Sequence, residues 1–207
     1  QIEALGLTPV VFPIGSTAEE ILACNPDAIV LSNGPGDPAA LHSAIEQAAR
    51  LLAVKNRPWI LGICLGHQIL ALACGAKTYK MTFGHRGVNH PVKDIATGRV
   101  LITSHNHGFA VDAKTLPAGV ATAYVSLNDD TLEGMFSQER RFISTQFHPE
   151  SSPGPHEARG IFAQFQGMLS KESLSSSFRN LRSRYPESSS LNDLDSGFRR
   201  NDEQGGD

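Results

Sequence analysis

Thiols are scarce in this 207-residue chain, which carries only three cysteines, Cys24, Cys64 and Cys74. So sparse and odd a set argues against a disulfide framework and fits reduced thiols in a reducing compartment. Charge of one sign is lacking too: the net charge is -3, with neither the basic footprint of a nucleic-acid binder nor an acidic solvating tract. No apolar run is long enough to span a bilayer, and the first residues lack a charged stretch followed by an apolar one. These absences lead to the expectation of a soluble, cytoplasmic protein with no nucleic-acid or membrane partner. No internal repeat is present.

The length accommodates one α/β domain with a sizeable core and an appendage. "QIEALG" reads as the last turn of a helix ending on Gly6, and "TPVVFPIG" as a short strand. An α/β domain seldom begins on a helix end, so the first strand of the sheet is expected to be missing. Thr17 and Glu20 have capping-box spacing, which predicts a helix over about 17–24. "AIVLS" and "PWILGI" are apolar runs of buried-strand type, with an amphipathic helix over 39–54 between them and another from Leu65 to about Cys74. This rhythm predicts an α/β fold with a mostly parallel central sheet flanked by helices. Beyond residue 76, "KTYKM", "GRVLITS", "ATAYVSL", "LEGMFS" and "RFISTQF" read as additional, antiparallel strands, and "GPHEARGIFAQFQGML" as a final helix. Residues 1–169 form the expected domain. Residues 170–207 are rich in serine and charge, and are expected to be a disordered tail.

Gly62-Ile63-Cys64-Leu65-Gly66 places one thiol between a predicted strand and a predicted helix. This is the cysteine counterpart of the G-x-S-x-G nucleophile elbow. Glycines on either side let neighbouring elements pass close to a strained tip. A helix start favours thiolate, and the N–H of Leu65 points where an oxyanion would form. Alone, the pattern leaves two readings open: a nucleophile, or a small buried hydrophobe beside a helix start. In "QFHPES", His148 and Glu150 follow an apolar strand at a spacing that lets both project one way, with Pro149 fixing the turn. They supply a base and its orienting carboxylate. The loop "LSNGPGDP", residues 31–38, follows a strand at a place where ligands bind parallel sheets. Its Gly34 and Gly36 N–H groups are unhindered and could face a substrate, although on this segment alone a plain tight loop is the favoured reading. His85, His90, His105 and His107 fall close together, but no carboxylate or cysteine completes a site at familiar spacing, so no metal is expected.

Together, "NGPGDP", "GICLGHQ", "SHNHGFAVD" and "FHPESSPGPHE" resemble the class I, or triad-type, glutamine amidotransferases over about residues 1–169. "FGHRGVNHPVKD" and "TSHNHGFAVD" are similar, more narrowly, to the glutamine-hydrolysing small subunits of carbamoyl-phosphate synthases. The resemblance implies that Cys64 attacks the glutamine carboxamide, His148 moves the proton and Glu150 orients His148. It implies a γ-glutamyl thioester on Cys64, an oxyanion held at Gly36 and Leu65, and a glutamine pocket lined by Gly34, Gln68, Asn106, Gly108 and Phe109. It also implies a large-subunit partner that receives the ammonia, with ATP and magnesium on that partner and no cofactor in this chain.

The family's separate N-terminal domain has no counterpart here. Arg86 and Val88 stand where the family pattern "FGHHGGNHPV" has histidine and glycine. Two other readings stay open at this point: an amidotransferase domain serving another synthetase, such as those for guanylate or anthranilate, and a truncated non-catalytic interaction module.

Overall fold

The computed structural model describes residues 1–151 and 154–169. The expected tail at 170–207 lies outside the described residues. After a short 3-10 turn at Glu3–Leu5, closed by Gly6 in the left-handed region at φ 75°, the first regular helix is α1 (Ala18–Ala23). Both hydrogen bonds of its capping box form: the Thr17 side chain accepts from Glu20 N–H, and Glu20 reaches back to the Thr17 N–H. Strand β1 (Ala28–Leu31), helix α2 (His42–Ala53), strand β2 (Trp59–Ile63) and helix α3 (Leu65–Ala73) follow. Four more strands come next: β3 (Thr78–Asp94), β4 (Val100–Val111), β5 (Ala121–Ser126) and β6 (Leu132–Ser137). Strand β7 (Phe142–Thr145) and helix α4 (Gly160–Leu169) complete the described chain.

One seven-stranded sheet runs in the spatial order β1-β2-β7-β6-β4-β3-β5, and β5 also pairs with β6. Only β1–β2 and β2–β7 are parallel; every other pairing is antiparallel. The expected mostly parallel sheet is therefore corrected to a mixed one, because the parallel part ends at β7. Since β5 returns to β6, strands β6, β4, β3 and β5 close on themselves as a small antiparallel barrel. The seam between β4 and β6 is thin, a single paired position, Val111 with Leu132.

The expected strand over "TPVVFPIG" does not form. Pro9 and Pro13 cannot donate ladder hydrogen bonds, and Val10 and Val11 are 66% and 90% exposed, so the segment has no sheet partner to cover it. The segments "FGHRGVNHPV" and "HNHGFAV" are strand. They lie within the long β3–β4 hairpin, which pairs from Lys93–Val100 to Thr78–Val111 with two register shifts. Strand β2 is buried at every position and serves two cores. Trp59, Leu61 and Ile63 pack with Phe147, Phe162 and Phe165 on one face, while Ile60 packs with Leu51, Leu70 and Phe142 on the other. Helices thus cover both faces of the parallel end, as an alternating strand–helix pattern requires. Among the described residues no helix is long and apolar enough to cross a membrane.

Candidate functional site

The parallel ladder builds the elbow. The Cys64 N–H donates to the Thr145 carbonyl at 2.8 Å, one step beyond the last β2–β7 pair, and the chain then turns sharply at φ 51°, ψ -102°. Such an angle on a non-glycine residue costs on the order of 1–3 kcal/mol and persists only where its surroundings enforce it. They do so here by close packing. A Cβ on Gly66 would run into the Leu31 backbone, and one on Gly62 would meet Leu70 Cδ1 at 2.6 Å and the Gly66 carbonyl oxygen at 2.9 Å. Strand β1, helix α3 and the elbow therefore fit only because both flanking residues lack side chains.

Cys64 opens onto a cleft of about 500 Å³. Of the residues singled out in the sequence, Gly34, Gly36, Gln68, Asn106, Gly108 and Phe109 line it together with Cys64. Gly34 and Gly36 come from the loop after β1, Gln68 from the first turn of α3, and the other three from β4. Leu65 does not line the cleft; its buried side chain sits against Gly34, where a Cβ would meet Leu65 Cδ2 at 2.7 Å. Its backbone N–H, in the first turn of α3, belongs to the set with no acceptor within the helix.

His148 and Glu150 also lie outside the cleft lining, but they are joined: His148 Nδ1 donates to Glu150 Oε1 at 2.8 Å. The His148 imidazole is pushed up to about 10, first by the Cys64 sulfur and then by Glu150, against the opposing effect of burial. Its buried Nε2 nonetheless makes no hydrogen bond of normal length and angle. The imidazole thus feels the sulfur without being locked to it.

Sequence reasoning missed two contributions. Gln146 is fully buried, donates from Nε2 to Cys64 Sγ at 3.7 Å and accepts from Gln68 Nε2 at 2.9 Å. Gln68 Nε2 also donates to the Phe109 carbonyl at 2.7 Å, so one amide chain ties the thiol, α3 and β4 together. The available signal was a lone amide in an apolar strand, two residues before His148. The second omission is the β3 side of the cleft, where Lys80, Thr82 and Arg86 join the loop residue Asp37 in the lining. Arg86 is anchored there by an Nη1 hydrogen bond to the Phe83 carbonyl at 2.7 Å.

The clustered histidines divide differently from their spacing. His85, His105 and His107 converge on Glu133 of β6, a carboxylate distant in sequence. His107 also reaches the cleft wall. His67, one turn into α3, is fully buried, bonded through Nδ1 to Ser144 Oγ at 2.9 Å, and held neutral by burial, down to about 3.

Residues 1–168 match the protein family described as glutamine amidotransferase class-I. The chain is 48% identical over 169 residues to the carbamoyl phosphate synthase small chain of Akkermansia muciniphila, covering 82% of this chain and 45% of that protein. It is 53% identical over 163 residues to the small chain of Vibrio parahaemolyticus, covering 79% and 42%. The chain thus spans less than half the length of these curated relatives. Among solved structures, a Thermoplasma acidophilum protein assigned to GMP synthase superimposes with a TM-score of 0.69 at 25% identity, over 87% of each chain. A Thermotoga maritima glutamine amidotransferase shares the fold, with a TM-score of 0.51 at 19% identity over 75% of this chain and 65% of that one.

Proposed function

Because this chain belongs to the class-I glutamine amidotransferase family, we propose that it hydrolyses glutamine to glutamate and ammonia through a thioester on Cys64. The observation that carries this reading is the conjunction of an elbow cysteine at the cleft with a His148–Glu150 pair closed at 2.8 Å. The thiol proton passes to His148 Nε2, which its surroundings make basic enough to keep it, and the Cys64 sulfur then attacks the side-chain carboxamide carbon. The developing oxyanion is met by the N–H of Leu65 and by the Gly36 segment. His148 returns the proton to the leaving nitrogen, ammonia departs, and the acyl group stays on sulfur. Water, deprotonated by the same imidazole, then cleaves the thioester, releasing glutamate and restoring the thiol. Glu150 keeps Nδ1–H engaged, so that Nε2 is the nitrogen free to exchange protons.

The cleft suits an amino acid beyond its reacting end. Lys80 and Arg86 offer cations to an α-carboxylate, and Asp37 offers an anion to an α-ammonium group. Gln68 and Gln146 hold the thiol side of the pocket through amide hydrogen bonds. In this reading the ammonia goes to a separate large subunit that makes carbamoyl phosphate, carrying its own ATP and magnesium, while this chain needs no cofactor for hydrolysis. The two small-chain relatives at 48% and 53% identity support that branch over the guanylate one, represented at 25%. The test is glutamate release by the purified chain, alone and with a carbamoyl-phosphate synthase large subunit. Cys64→Ala is expected to lower the rate by about a thousandfold or more, and an unchanged rate refutes the assignment of the nucleophile.

A further inference from the structure

The antiparallel barrel holds a second concentration of chemistry that glutamine hydrolysis does not use. His85 of β3, His105 and His107 of β4, and Glu133 of β6 are all buried, and one donor atom from each lies within 4.8 Å of the others. Their outward hydrogen bonds fix where the protons are. His85 Nε2 lies 2.9 Å from the Asp129 carboxylate, and His107 Nδ1 lies 2.9 Å from the Phe109 carbonyl; both partners only accept. His105 Nε2 lies 2.7 Å from Thr103 Oγ1, whose own hydrogen goes to the His90 carbonyl at 2.9 Å. Each ring therefore donates outward. The second nitrogens point inward: His105 Nδ1 and His107 Nε2 present lone pairs, while His85 Nδ1 lies within hydrogen-bond distance of Glu133 Oε1, with a proton between them until a cation replaces it.

Those lone pairs meet each other and the Glu133 carboxylate. His85 Nδ1 is 3.0 Å from Glu133 Oε1, His105 Nδ1 is 3.1 Å from His107 Nε2, and His105 Nδ1 is 3.5 Å from Glu133 Oε2. His107 Nε2 is 4.0 Å from Glu133 Oε1. Glu133 Oε2 is buried with no hydrogen-bond partner. Four acceptors cannot face one another bare: either protons bridge the two short contacts, or one divalent cation replaces them. The separations run from 3.0 Å to no more than 4.8 Å, around the edge of about 3.4 Å expected for a tetrahedron with bonds of about 2.0–2.1 Å, so the ligands need to draw in slightly around an ion.

We propose that His85, His105, His107 and Glu133 bind one divalent transition-metal ion of the zinc type. Three imidazoles and one carboxylate suit a borderline ion, and four protein ligands in a buried setting describe a closed, structural site rather than a catalytic one. Asp129, Thr103 and the Phe109 carbonyl form the outer ring that fixes each imidazole's tautomer, as metal-bound histidines require. The ion would clip β4 to β6 where their ladder is a single pair. It would also hold the Phe109 carbonyl, which receives both His107 and Gln68. The site stands independently of the glutamine reading.

The test begins with the 207-residue chain, expressed with added zinc and dialysed against metal-free buffer, and measures metal by mass spectrometry. About one zinc per chain is expected for the native protein and for His90→Ala, and less than about a tenth for His105→Ala and Glu133→Gln. Cobalt substitution should give the visible bands of tetrahedral cobalt in the native chain. Asp129→Asn, which spares all four ligands, should weaken zinc binding about 10–100-fold. If the ligand variants fail to fold, the native chain still decides: a chelator should lower its melting temperature, and zinc should restore it. A chain that holds no zinc, shows no cobalt bands and melts identically with and without zinc overturns the proposal, leaving a proton-bridged network. Full zinc content persisting in both folded ligand variants overturns it equally, by placing the metal elsewhere.

Discussion

His148 at the parallel end of the sheet and His105 and His107 in the barrel are treated in opposite ways. At the parallel end, His148 sits past the end of β7 beside a sulfur and a carboxylate, which together lift it to about 10 despite burial. In the barrel, burial leads for two of three imidazoles: His105 is pushed down to about 2 and His107 to about 4, with neighbouring imidazoles adding to the effect, whereas His85 is raised by its hydrogen bond to Glu133 and, less, by Asp129. Burial disfavours every imidazolium; what differs is whether an anion is placed to compensate. The parallel end is arranged to carry a charged imidazole, as the proposed proton transfer requires. The barrel is arranged to keep His105 and His107 neutral with their lone pairs gathered. On the two proposals, one side chain would serve proton transfer at one end of the sheet and ligation at the other.

The contrast can be attacked from the strong end first. Glu150→Gln removes the anion that orients His148, and glutamate release should fall by about a hundredfold; a rate within threefold of native would show that Glu150 has no such part. Gly66→Ala forces a side chain onto the Leu31 backbone and should cost about 1–3 kcal/mol in denaturant unfolding. If Gly66→Ala is as stable as the native chain, the elbow is looser than its packing indicates. Gln146→Leu keeps the volume but breaks the amide chain between Cys64 and Gln68, and should lower the rate about tenfold with a larger effect on kcat than on KM.

The smallest effect is in pH. His148 is raised above its ordinary value of 6.5, so its contribution to stability is complete below about 6.5 and is lost as pH rises through about 10. The melting-temperature gap between the native chain and His148→Gln should therefore narrow between pH 7 and pH 10. A gap that widens over this range would mean that the anions do not govern this histidine.

The elbow was legible because its determinants are neighbours in sequence. Gly62, Cys64 and Gly66 occupy one strand-to-helix junction, and His148 and Glu150 stand two residues apart. The capping box at Thr17 and Glu20 was legible for the same reason. Glu133 was not, because its partners arrive from two other strands and no spacing rule connects "LEGMFS" with "SHNHGF". Gln146 was hidden by its neighbours: an amide in an apolar strand gives no sign of which side chain it will meet. The expected strand at residues 8–15 failed because apolar content alone does not supply a pairing partner. The sheet was read as mostly parallel because alternation of strands and helices specifies the first crossovers, while the direction of the later strands depends on pairing.

Local chemistry, then, is written in the chain itself. Strand-to-helix turns, caps and short polar pairs depend on backbone angles and spacings within a few residues, so composition and order are enough to place Cys64 at a tip and to pair His148 with Glu150. Only the tertiary structure decided that β5 returns to β6, that the closed barrel brings three histidines onto Glu133, and that Gln146 reaches the sulfur. Those contacts join residues far apart in sequence through sheet register, and register is settled by which faces can be buried together across the whole fold.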